Sequence, residues 1–233
     1  ERTDAVSLVS ANSRRVQQSL RVLEEVAKIH GQETGLDWDK FKHARFALYT
    51  LEQKIVLELL RHNKKEQVAG LYVIVDTQAL RGRGEIEVAR QAIQGGARII
   101  QLRDKLRPKG MLVPLARELK KVCAESDVLF IVNDYIDLAI DSDADGLHIG
   151  QEDLPFVTAR KMLPGDKILG CSAATLEEAL KAEKEGADYI AIGSIYSTPS
   201  KPGTRIAGLE PLRPGKKKVS VPVVAIGGIN EDN

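Results

Sequence analysis

Residues 95–105 read Gly-Gly-Ala-Arg-Ile-Ile-Gln-Leu-Arg-Asp-Lys, and this stretch carries the pattern that decides the fold. A helix-like pattern over 85–94 ends at the two glycines, where a left-handed backbone conformation costs little. An apolar run follows at 98–102, and polar side chains come directly after it. A second passage repeats this order, with Gly186 before the apolar run at 189–192. The chain is therefore expected to contain repeated βα units.

Seven apolar runs alternate with helix-like patterns from residue 71 onward. The predicted strands are 71–75, 98–102, 128–132, 146–149, 167–169, 189–192 and 223–226, and the predicted helices are 85–94, 108–124, 136–140, 155–162 and 176–185. Such alternation predicts a parallel sheet, either a barrel or an open doubly wound sheet. No G-x-G-x-x-G follows the first strand, so the dinucleotide-binding fingerprint is missing. We predict an α/β fold, a (β/α)8 TIM barrel that lacks its last βα unit, because an eighth strand would lie beyond Asn233.

Residues 1–66 have a different texture and predict a helical hairpin. The first amphipathic pattern has apolar residues three and four apart at Val16, Leu20, Leu23 and Ala27, and the second covers 38–59. The predicted caps are Asn12 or Ser13 for the first helix and Asp37 or Asp39 for the second, with Gly31 just past the end of the first. The polar stretch 61–67 is predicted to be a linker. We expect a helical N-terminal extension over 1–66 and a barrel over 67–233.

The composition excludes several classes of protein. The chain has 233 residues, of which 43% are apolar and 29% charged, a mixture typical of globular proteins. Its 34 basic and 33 acidic residues give a net charge of +1, which argues against a dedicated nucleic-acid binder. Cys123 and Cys171 cannot form a disulfide framework or a four-cysteine zinc site, so a reduced, cytoplasmic protein is expected. No apolar run approaches the roughly 20 residues that span a bilayer, and no membrane partner is expected.

Polar residues lie at or just after the ends of six consecutive predicted strands, at the end of the barrel where active sites lie in this fold. They are Gln101, Arg103, Asp104 and Lys105; Asn133 and Asp134; His148, Gln151, Glu152 and Asp153; Ser172; Ser194, Thr198, Ser200 and Lys201; and Gly227 with Gly228. Taken one at a time, each is most simply a solvated loop residue. Six consecutive strands with such endings predict a polar mouth at one end of the barrel.

Two carboxylates among these residues suggest a metal site. If Asp134 and Asp153 approach to about 4 Å, their charges repel by about 4 kcal/mol at an effective dielectric constant near 20. A raised pKa or a divalent cation would relieve this repulsion, and oxygen ligands without a His or Cys cluster suit Mg²⁺. Two separate loop carboxylates are an equally good interpretation of the spacing. Arg103, Lys105 and Lys201 would supply positive charge for substrate phosphates.

Seven ordered motifs resemble the thiamine-phosphate synthase family. They are Gln-Leu-Arg-Asp-Lys (101–105), Val-Asn-Asp (132–134), His-Ile-Gly-Gln-Glu-Asp-Leu-Pro (148–155), Gly-Cys-Ser (170–172), Gly-Ala-Asp-Tyr (186–189), Ile-Tyr-Ser-Thr-Pro-Ser-Lys (195–201) and Ala-Ile-Gly-Gly-Ile (225–229). The resemblance covers roughly residues 70–230. Related thiazole tautomerases share the barrel but usually lack the full first two motifs.

The resemblance implies a transferase of thiamine biosynthesis, with Mg²⁺ as cofactor. Such an enzyme joins 4-amino-5-hydroxymethyl-2-methylpyrimidine diphosphate to a thiazole phosphate, and it releases pyrophosphate with thiamine phosphate. The implied metal ligands are Asp134 and Asp153, and the implied catalytic residues are Lys105, Lys201 and Ser172. The implied substrate contacts are Gln101, Arg103, Lys105 and Asn133 for the diphosphate, Ser172 and Lys201 for the pyrimidine diphosphate, and Thr198, Ser200 and Gly228 for the thiazole phosphate. The family often has Thr where this chain has Ser200.

Several alternatives stay open at this point. A thiazole tautomerase and a noncatalytic phosphate-ligand-binding homologue share the fold, and a homo-oligomer is compatible with the sequence. The N-terminal helices resemble an extension found on some thiamine-phosphate synthases, and either a packing or dimerisation module or a second ligand site fits them. Cys171 is predicted to take no part in the reaction, as a small core residue or a residue just behind the site, and His148 is assigned no chemistry. Without an eighth strand, we expect residues 1–233 alone to make little thiamine phosphate.

Overall fold

The structure is a computed structural model that describes residues 4–151, 153–198 and 206–233. Within these residues the chain forms eight helices and seven strands. It divides into two compact units, Glu1–His62 and Asn63–Asn233. No helix among the described residues is both long and apolar enough to cross a bilayer.

The first unit contains helix α1 (Ala5–Thr34) and most of helix α2 (Trp38–Glu66). Asp4 caps α1, since its Oδ1 accepts a hydrogen bond of 2.8 Å from the Ser7 backbone N–H. The helix ends at Gly35, whose φ of 68° lies in the left-handed region that favours glycine. The two predicted helices are therefore present.

The predicted caps of α1 are wrong, because Asn12, Ser13 and Gly31 all lie inside the helix. Asn12 Nδ2 donates to the Leu8 carbonyl four residues earlier, at 3.0 Å, a side-chain hydrogen bond that forms within a helix. Residues that often cap helices thus occupy interior positions here.

The predicted linker at 61–67 is also wrong over 61–66, since α2 continues to Glu66. Lysine, arginine and glutamate are good helix formers, so a polar run extends a helix unless glycine or proline interrupts it. The last turn of α2 belongs to the second unit. There Lys64 Nζ donates to the backbone carbonyl and to Oδ2 of Asp166, both at 3.0 Å.

The second unit is a seven-stranded parallel sheet with the strands in sequence order. Its strands are β1 (Leu71–Asp76), β2 (Ala97–Arg103), β3 (Leu129–Asn133), β4 (Gly146–Ile149), β5 (Ile168–Ala173), β6 (Tyr189–Ile192) and β7 (Val223–Ala225). Its helices are α3 (Glu85–Gln94), α4 (Lys109–Ala124), α5 (Ile136–Asp141), α6 (Phe156–Met162), α7 (Leu176–Lys184) and α8 (Leu212–Lys218). Parallel strands in sequence order that alternate with helices are the topology of a TIM barrel, which has eight strands. The predicted fold class is confirmed, and the described residues contain seven of those strands.

Two elements of this unit differ from the predicted ones, and the first difference concerns a predicted site residue. The fifth strand runs to Ala173 rather than to residue 169, so Ser172 lies within β5 and not in the loop after it. Helix α8 was not predicted. The other predicted strands and helices of this unit differ from the observed ones by at most one residue at either end.

Alternation along the strands separates two apolar layers. One cluster lies between the sheet and the helices, and it includes Ile100, Phe130 and Leu169. The other consists of Val68, Ile99, Leu129, Ile131, Ile168 and Tyr189, with Tyr72 and Val224 against it. Successive side chains of a strand point to opposite faces, so residues two or four positions beyond this second cluster share its face. Gln101, Arg103, Asn133 and Ser172 are in those positions, and the interior cluster therefore supports them from below.

Candidate active site

Asp104 holds the loop after β2 in place. Its side chain is fully buried and accepts hydrogen bonds from Thr77 Oγ1 at 2.6 Å and from the backbone N–H groups of Leu106 and Arg107 at 2.8 and 2.9 Å. Burial raises the pKa of Asp104, but these hydrogen bonds outweigh it and lower the pKa to about 2. The ionised carboxylate thereby fixes the turn that carries Lys105.

Replacing Asp104 by asparagine is expected to lower the free energy of unfolding by roughly 2 kcal/mol at neutral pH, because hydrogen bonds to a charged group are lost. The depressed pKa makes this contribution fully present above about pH 4 and lost as the pH falls toward 2. Urea denaturation at pH 7, 4 and 3 measures it, with Asp141→Asn as control. Asp141 pairs with Arg117 on the surface at 2.8 Å, and such pairs contribute about 0–1 kcal/mol. Equal destabilisation of Asp104→Asn at pH 7 and pH 3 would contradict the assignment.

Asp134 and Asp153 converge on Lys105 at the mouth. The Lys105 ammonium group bonds to Asp134 and lies 4.0 Å from Asp153 Oδ1. Asp134 Oδ2 also accepts from Asn133 Nδ2 at 2.6 Å, and Asp153 Oδ2 accepts from the Gly150 N–H at 2.8 Å. Burial, followed by the contact with Asp153, raises the pKa of Asp134 to about 6 despite the nearby ammonium group.

The two carboxylates fit a hard divalent cation. They present only oxygen atoms. Burial, and after it the contact with Asp153, raises the pKa of Asp134, and a bound cation would stabilise the ionised form of the pair. Among the described residues, no group of three or more His, Cys, Asp or Glu side chains could hold a metal ion. A bound ion would need water or substrate oxygens to complete its coordination, and Mg²⁺ usually keeps such ligands.

The side chains of Gln101 and Arg103 are held by two residues of β1. Arg103 forms an ion pair with the buried Asp76, and Gln101 Nε2 donates to Tyr72 Oη at 2.8 Å. Sequence reasoning missed Asp76, although the signal was present. Asp76 follows the apolar run 71–75 directly, the same position that selected the other strand-end residues.

Ser172 is hydrogen-bonded to His148. His148 Nε2 lies 2.9 Å from Ser172 Oγ, and Nδ1 of the same ring lies 3.0 Å from Tyr189 Oη. The ring is buried in the barrel interior. Sequence reasoning assigned His148 no chemistry, and the structure places it directly behind a predicted substrate contact.

Cys171, the neighbour of Ser172, has the properties of a core residue. Its side chain is buried, and burial raises the pKa of its thiol to about 11. A thiol protonated at neutral pH is a poor nucleophile. The prediction that Cys171 takes no part in the reaction agrees with this environment.

The loops after β6 and β7 lie side by side. The Tyr196 N–H donates to the Gly227 carbonyl at 2.9 Å. At Gly228, φ is 68°, and a Cβ would lie 2.8 Å from Tyr196 Cβ and 2.5 Å from the Ser197 carbonyl oxygen. Only glycine fits this approach, which leaves the Gly228 backbone beside the segment that ends at Thr198. The predicted Ser200 and Lys201 lie outside the described residues, as does Glu152.

The fold and the site define a TIM-barrel protein whose mouth carries paired carboxylates, a lysine and a close-packed glycine loop. The chain belongs to the thiamine monophosphate synthase family, whose model matches residues 71–233. A second family model, that of the ThiD2 family, matches residues 1–54. The resemblance found in the sequence motifs is thereby confirmed.

Three similar proteins support this membership. The chain is 39% identical over 232 residues to a thiamine-phosphate synthase of Synechocystis. This alignment covers 100% of the chain and 65% of the relative. It is 50% identical over 165 residues to a thiamine-phosphate synthase of Moorella thermoacetica, covering 70% of the chain and 78% of the relative. The solved structure of a thiamine phosphate pyrophosphorylase from Pyrococcus furiosus matches with a TM-score of 0.66 and 42% identity, covering 73% of the chain and 80% of that structure. The chain thus spans just under two thirds of the length of the Synechocystis relative.

Proposed function

We propose that the protein catalyses the condensation of 4-amino-5-hydroxymethyl-2-methylpyrimidine diphosphate with thiazole phosphate, which gives thiamine phosphate and pyrophosphate. The observation that supports this most is the convergence of Asp134 and Asp153 on Lys105, at the positions of the family motifs. The names of the similar proteins favour this reaction over that of a tautomerase.

The reaction needs stabilisation of a leaving group more than it needs a nucleophile. The C–O bond between the pyrimidine methylene and the diphosphate breaks, and its electron pair leaves with the diphosphate. The thiazole nitrogen then forms the new C–N bond at the methylene, whose positive charge the electron-rich aminopyrimidine shares. In this proposal the positive charges of Lys105 and Arg103 would stabilise the negative charge on the departing diphosphate.

Asp134 and Asp153 would hold Mg²⁺, with Asn133 supporting the Asp134 carboxylate. A bound Mg²⁺ would neutralise charge on the diphosphate oxygens and orient them. Lys105 lies beside both carboxylates, and in this proposal its ammonium group would contact the same diphosphate oxygens. We therefore assign the diphosphate to the space between β2, β3 and β4.

The two substrates would contact different sets of residues at the mouth. The pyrimidine diphosphate is assigned to Gln101, Arg103, Lys105, Asn133, Ser172 and Lys201, and the thiazole phosphate to Thr198, Ser200 and Gly228. The packing at Gly228 supports the second assignment, because its backbone lies close to residues 196 and 197, which directly precede Thr198. The partners in this proposal are small molecules in the cytoplasm, with no nucleic acid or membrane.

We also propose that residues 1–66 form a helical extension and residues 67–233 the catalytic barrel. Helix α2 ends at Glu66 and β1 begins at Leu71, so residues 67–70 connect the two. Gly70, with φ of 82°, turns the chain into the first strand.

Incubation of the protein with both substrates and Mg²⁺ tests the proposed reaction. The experiment uses the natural protein that contains these residues, and mass spectrometry measures thiamine phosphate. We expect product only when both substrates and Mg²⁺ are present, with one pyrophosphate released per thiamine phosphate. A tautomerase would need neither the pyrimidine diphosphate nor the metal pair. Absence of product under all conditions would contradict the proposal.

A further inference from the structure

An unbroken series of hydrogen bonds crosses the barrel interior from β2 to β5, and we call it the interior hydrogen-bond chain. Gln101 Nε2 donates to Tyr72 Oη at 2.8 Å, and Tyr72 Oη lies 2.9 Å from Tyr189 Oη. Tyr189 Oη lies 3.0 Å from His148 Nδ1, and His148 Nε2 lies 2.9 Å from Ser172 Oγ. Its two ends are residues to which the proposed function assigns the pyrimidine diphosphate.

The central groups of this chain are buried, and its two tyrosines are neutral. Tyr189 is 0% exposed and His148 is 6% exposed. Burial raises the pKa of the Tyr72 and Tyr189 hydroxyls, so both keep their protons at neutral pH. Leaving a buried donor without an acceptor costs about 1–3 kcal/mol. Each of these protons therefore needs an acceptor.

Gln101 sets the direction of the chain. Its Nε2 carries only hydrogens, so Tyr72 Oη accepts from it and directs its own proton to Tyr189 Oη. The proton of Tyr189 then goes to His148 Nδ1, which must be the unprotonated ring nitrogen. His148 Nε2 carries the hydrogen and donates it to Ser172 Oγ. In the reverse direction, the Tyr72 proton would point at the amide hydrogens of Gln101.

We propose that Tyr189 is a positioning residue, which holds His148 in the Nε2–H tautomer and so leaves the Ser172 hydroxyl proton to be donated to the substrate. This inference rests on the proposed function, because the acceptor would be an atom of the pyrimidine diphosphate. Ser172 receives the His148 hydrogen and can turn its own hydroxyl hydrogen toward the mouth. The barrel interior thereby fixes the polarity of a binding residue at the mouth.

The backbone register explains how Tyr189 reaches His148. His148 pairs with Gly170 on β5, and Gly170 pairs with Tyr189 on β6, so the three residues lie at one level of the sheet. A Cβ at Gly170 would overlap the Tyr189 ring. The missing side chain lets the ring cross β5, and its centroid lies 5.6 Å from that of the His148 ring.

The tautomer of His148 tests the proposal without any turnover. Nitrogen-15 NMR of the histidine-labelled protein distinguishes a protonated ring nitrogen from an unprotonated one. We expect His148 to be the Nε2–H tautomer in the unaltered protein. In Tyr189→Phe, which keeps the ring but removes the hydroxyl, we expect a mixture of both tautomers. Tyr49→Phe is the control, since Tyr49 is a half-exposed residue of α2. It should leave the His148 signals unchanged.

Kinetics test the connection to Ser172. In Tyr189→Phe we expect kcat/KM for the pyrimidine diphosphate to fall about tenfold, which is the order of magnitude expected for the loss of one hydrogen bond. The KM for thiazole phosphate should not change. When Ser172 is already alanine, Tyr189→Phe should have no further effect, because the two residues act through one hydrogen bond.

Three results would overturn the proposal: an Nδ1–H tautomer in the unaltered protein, an unchanged tautomer in Tyr189→Phe, or a full additional loss in the Ser172→Ala background. If Tyr189→Phe fails to fold, the tautomer of the unaltered protein still decides the direction of the chain. If the unaltered protein forms no thiamine phosphate, the proposed function fails, while the NMR result still decides the role of Tyr189.

Discussion

Replacing Asp134 by asparagine is expected to lower the rate of thiamine phosphate formation by about a hundredfold or more and to weaken Mg²⁺ binding. The change removes one of the two carboxylates that we assign to the ion, and loss of a single group that stabilises developing charge costs about 10²–10³ in rate. Asparagine suits the position, because φ at Asp134 is 61° and Asn and Asp tolerate this region best among residues other than glycine. Asp153→Asn should have a similar effect. Initial rates against Mg²⁺ concentration measure both.

We expect Asp134→Asn and Asp153→Asn to lose activity without losing thermal stability. Burial, and after it the contact with Asp153, raises the pKa of Asp134, so the ionised pair is unfavourable in the folded protein. Replacing one carboxylate by an amide is therefore expected to leave the melting temperature unchanged or to raise it. Asp137→Asn is the matched control, since Asp137 is 62% exposed and pairs with Lys109 on the outside of α5. It should leave the rate and the Mg²⁺ dependence unchanged. Unaltered rates in both Asp134→Asn and Asp153→Asn at every Mg²⁺ concentration would rule out the metal assignment.

The strands could be predicted from the sequence because they are buried on both faces. Parallel strands in an α/β protein are covered by helices on one side and by the interior on the other, so they read as continuous apolar runs. The run at 98–102 illustrates this. Ile99 belongs to the interior cluster, whereas Ile100 packs toward the helices.

Elements that depend on tertiary packing could not be predicted in this way. Helix α8 contains Pro214 and Gly215, which normally argue against a helix. Proline is tolerated in a first turn, where its missing N–H has no helical partner. Gly215 is buried, and a Cβ there would lie 2.7 Å from the side chain of Ile192. The contact between the two elements, which the local sequence does not contain, decides the helix.

The candidate site also contains residues that could be predicted from the sequence and residues that could not. Residues that follow strands could be selected because carboxyl ends of parallel strands share one end of the barrel, and Asp134 and Asp153 do meet there. The interior hydrogen-bond chain could not be predicted, because Tyr72, Tyr189 and His148 belong to apolar runs and have the pattern of core residues. Their connection depends on the register of three strands and on the space above Gly170.

The ammonium group of Lys105 occupies the position between the two carboxylates. Burial lowers the pKa of Lys105, but the bond to Asp134 outweighs it and raises the pKa, so the group stays charged. The buried Asp104 fixes the turn from which Lys105 extends. Without substrate, the lysine is therefore the counter-ion of the pair and competes with any cation for the same oxygens. With substrate, we assign its charge to the diphosphate.

Lys105→Met is expected to lower kcat/KM for the pyrimidine diphosphate by about 10²–10³, because methionine keeps much of the side-chain stem but carries no charge for the leaving group. Mg²⁺ binding in the absence of substrate should not weaken, because the competing ammonium group is gone, and this separates Lys105 from Asp134. Calorimetric titration with Mg²⁺ and initial rates measure the two quantities. Lys109→Met is the control. The Lys109 side chain is 51% exposed, and its ammonium group lies 2.9 Å from Asp137 Oδ2 on the surface. Its kinetics should match those of the unaltered protein. If Lys105→Met kept the original kinetics, or lost Mg²⁺ binding as Asp134→Asn does, the lysine would not have the role assigned to it.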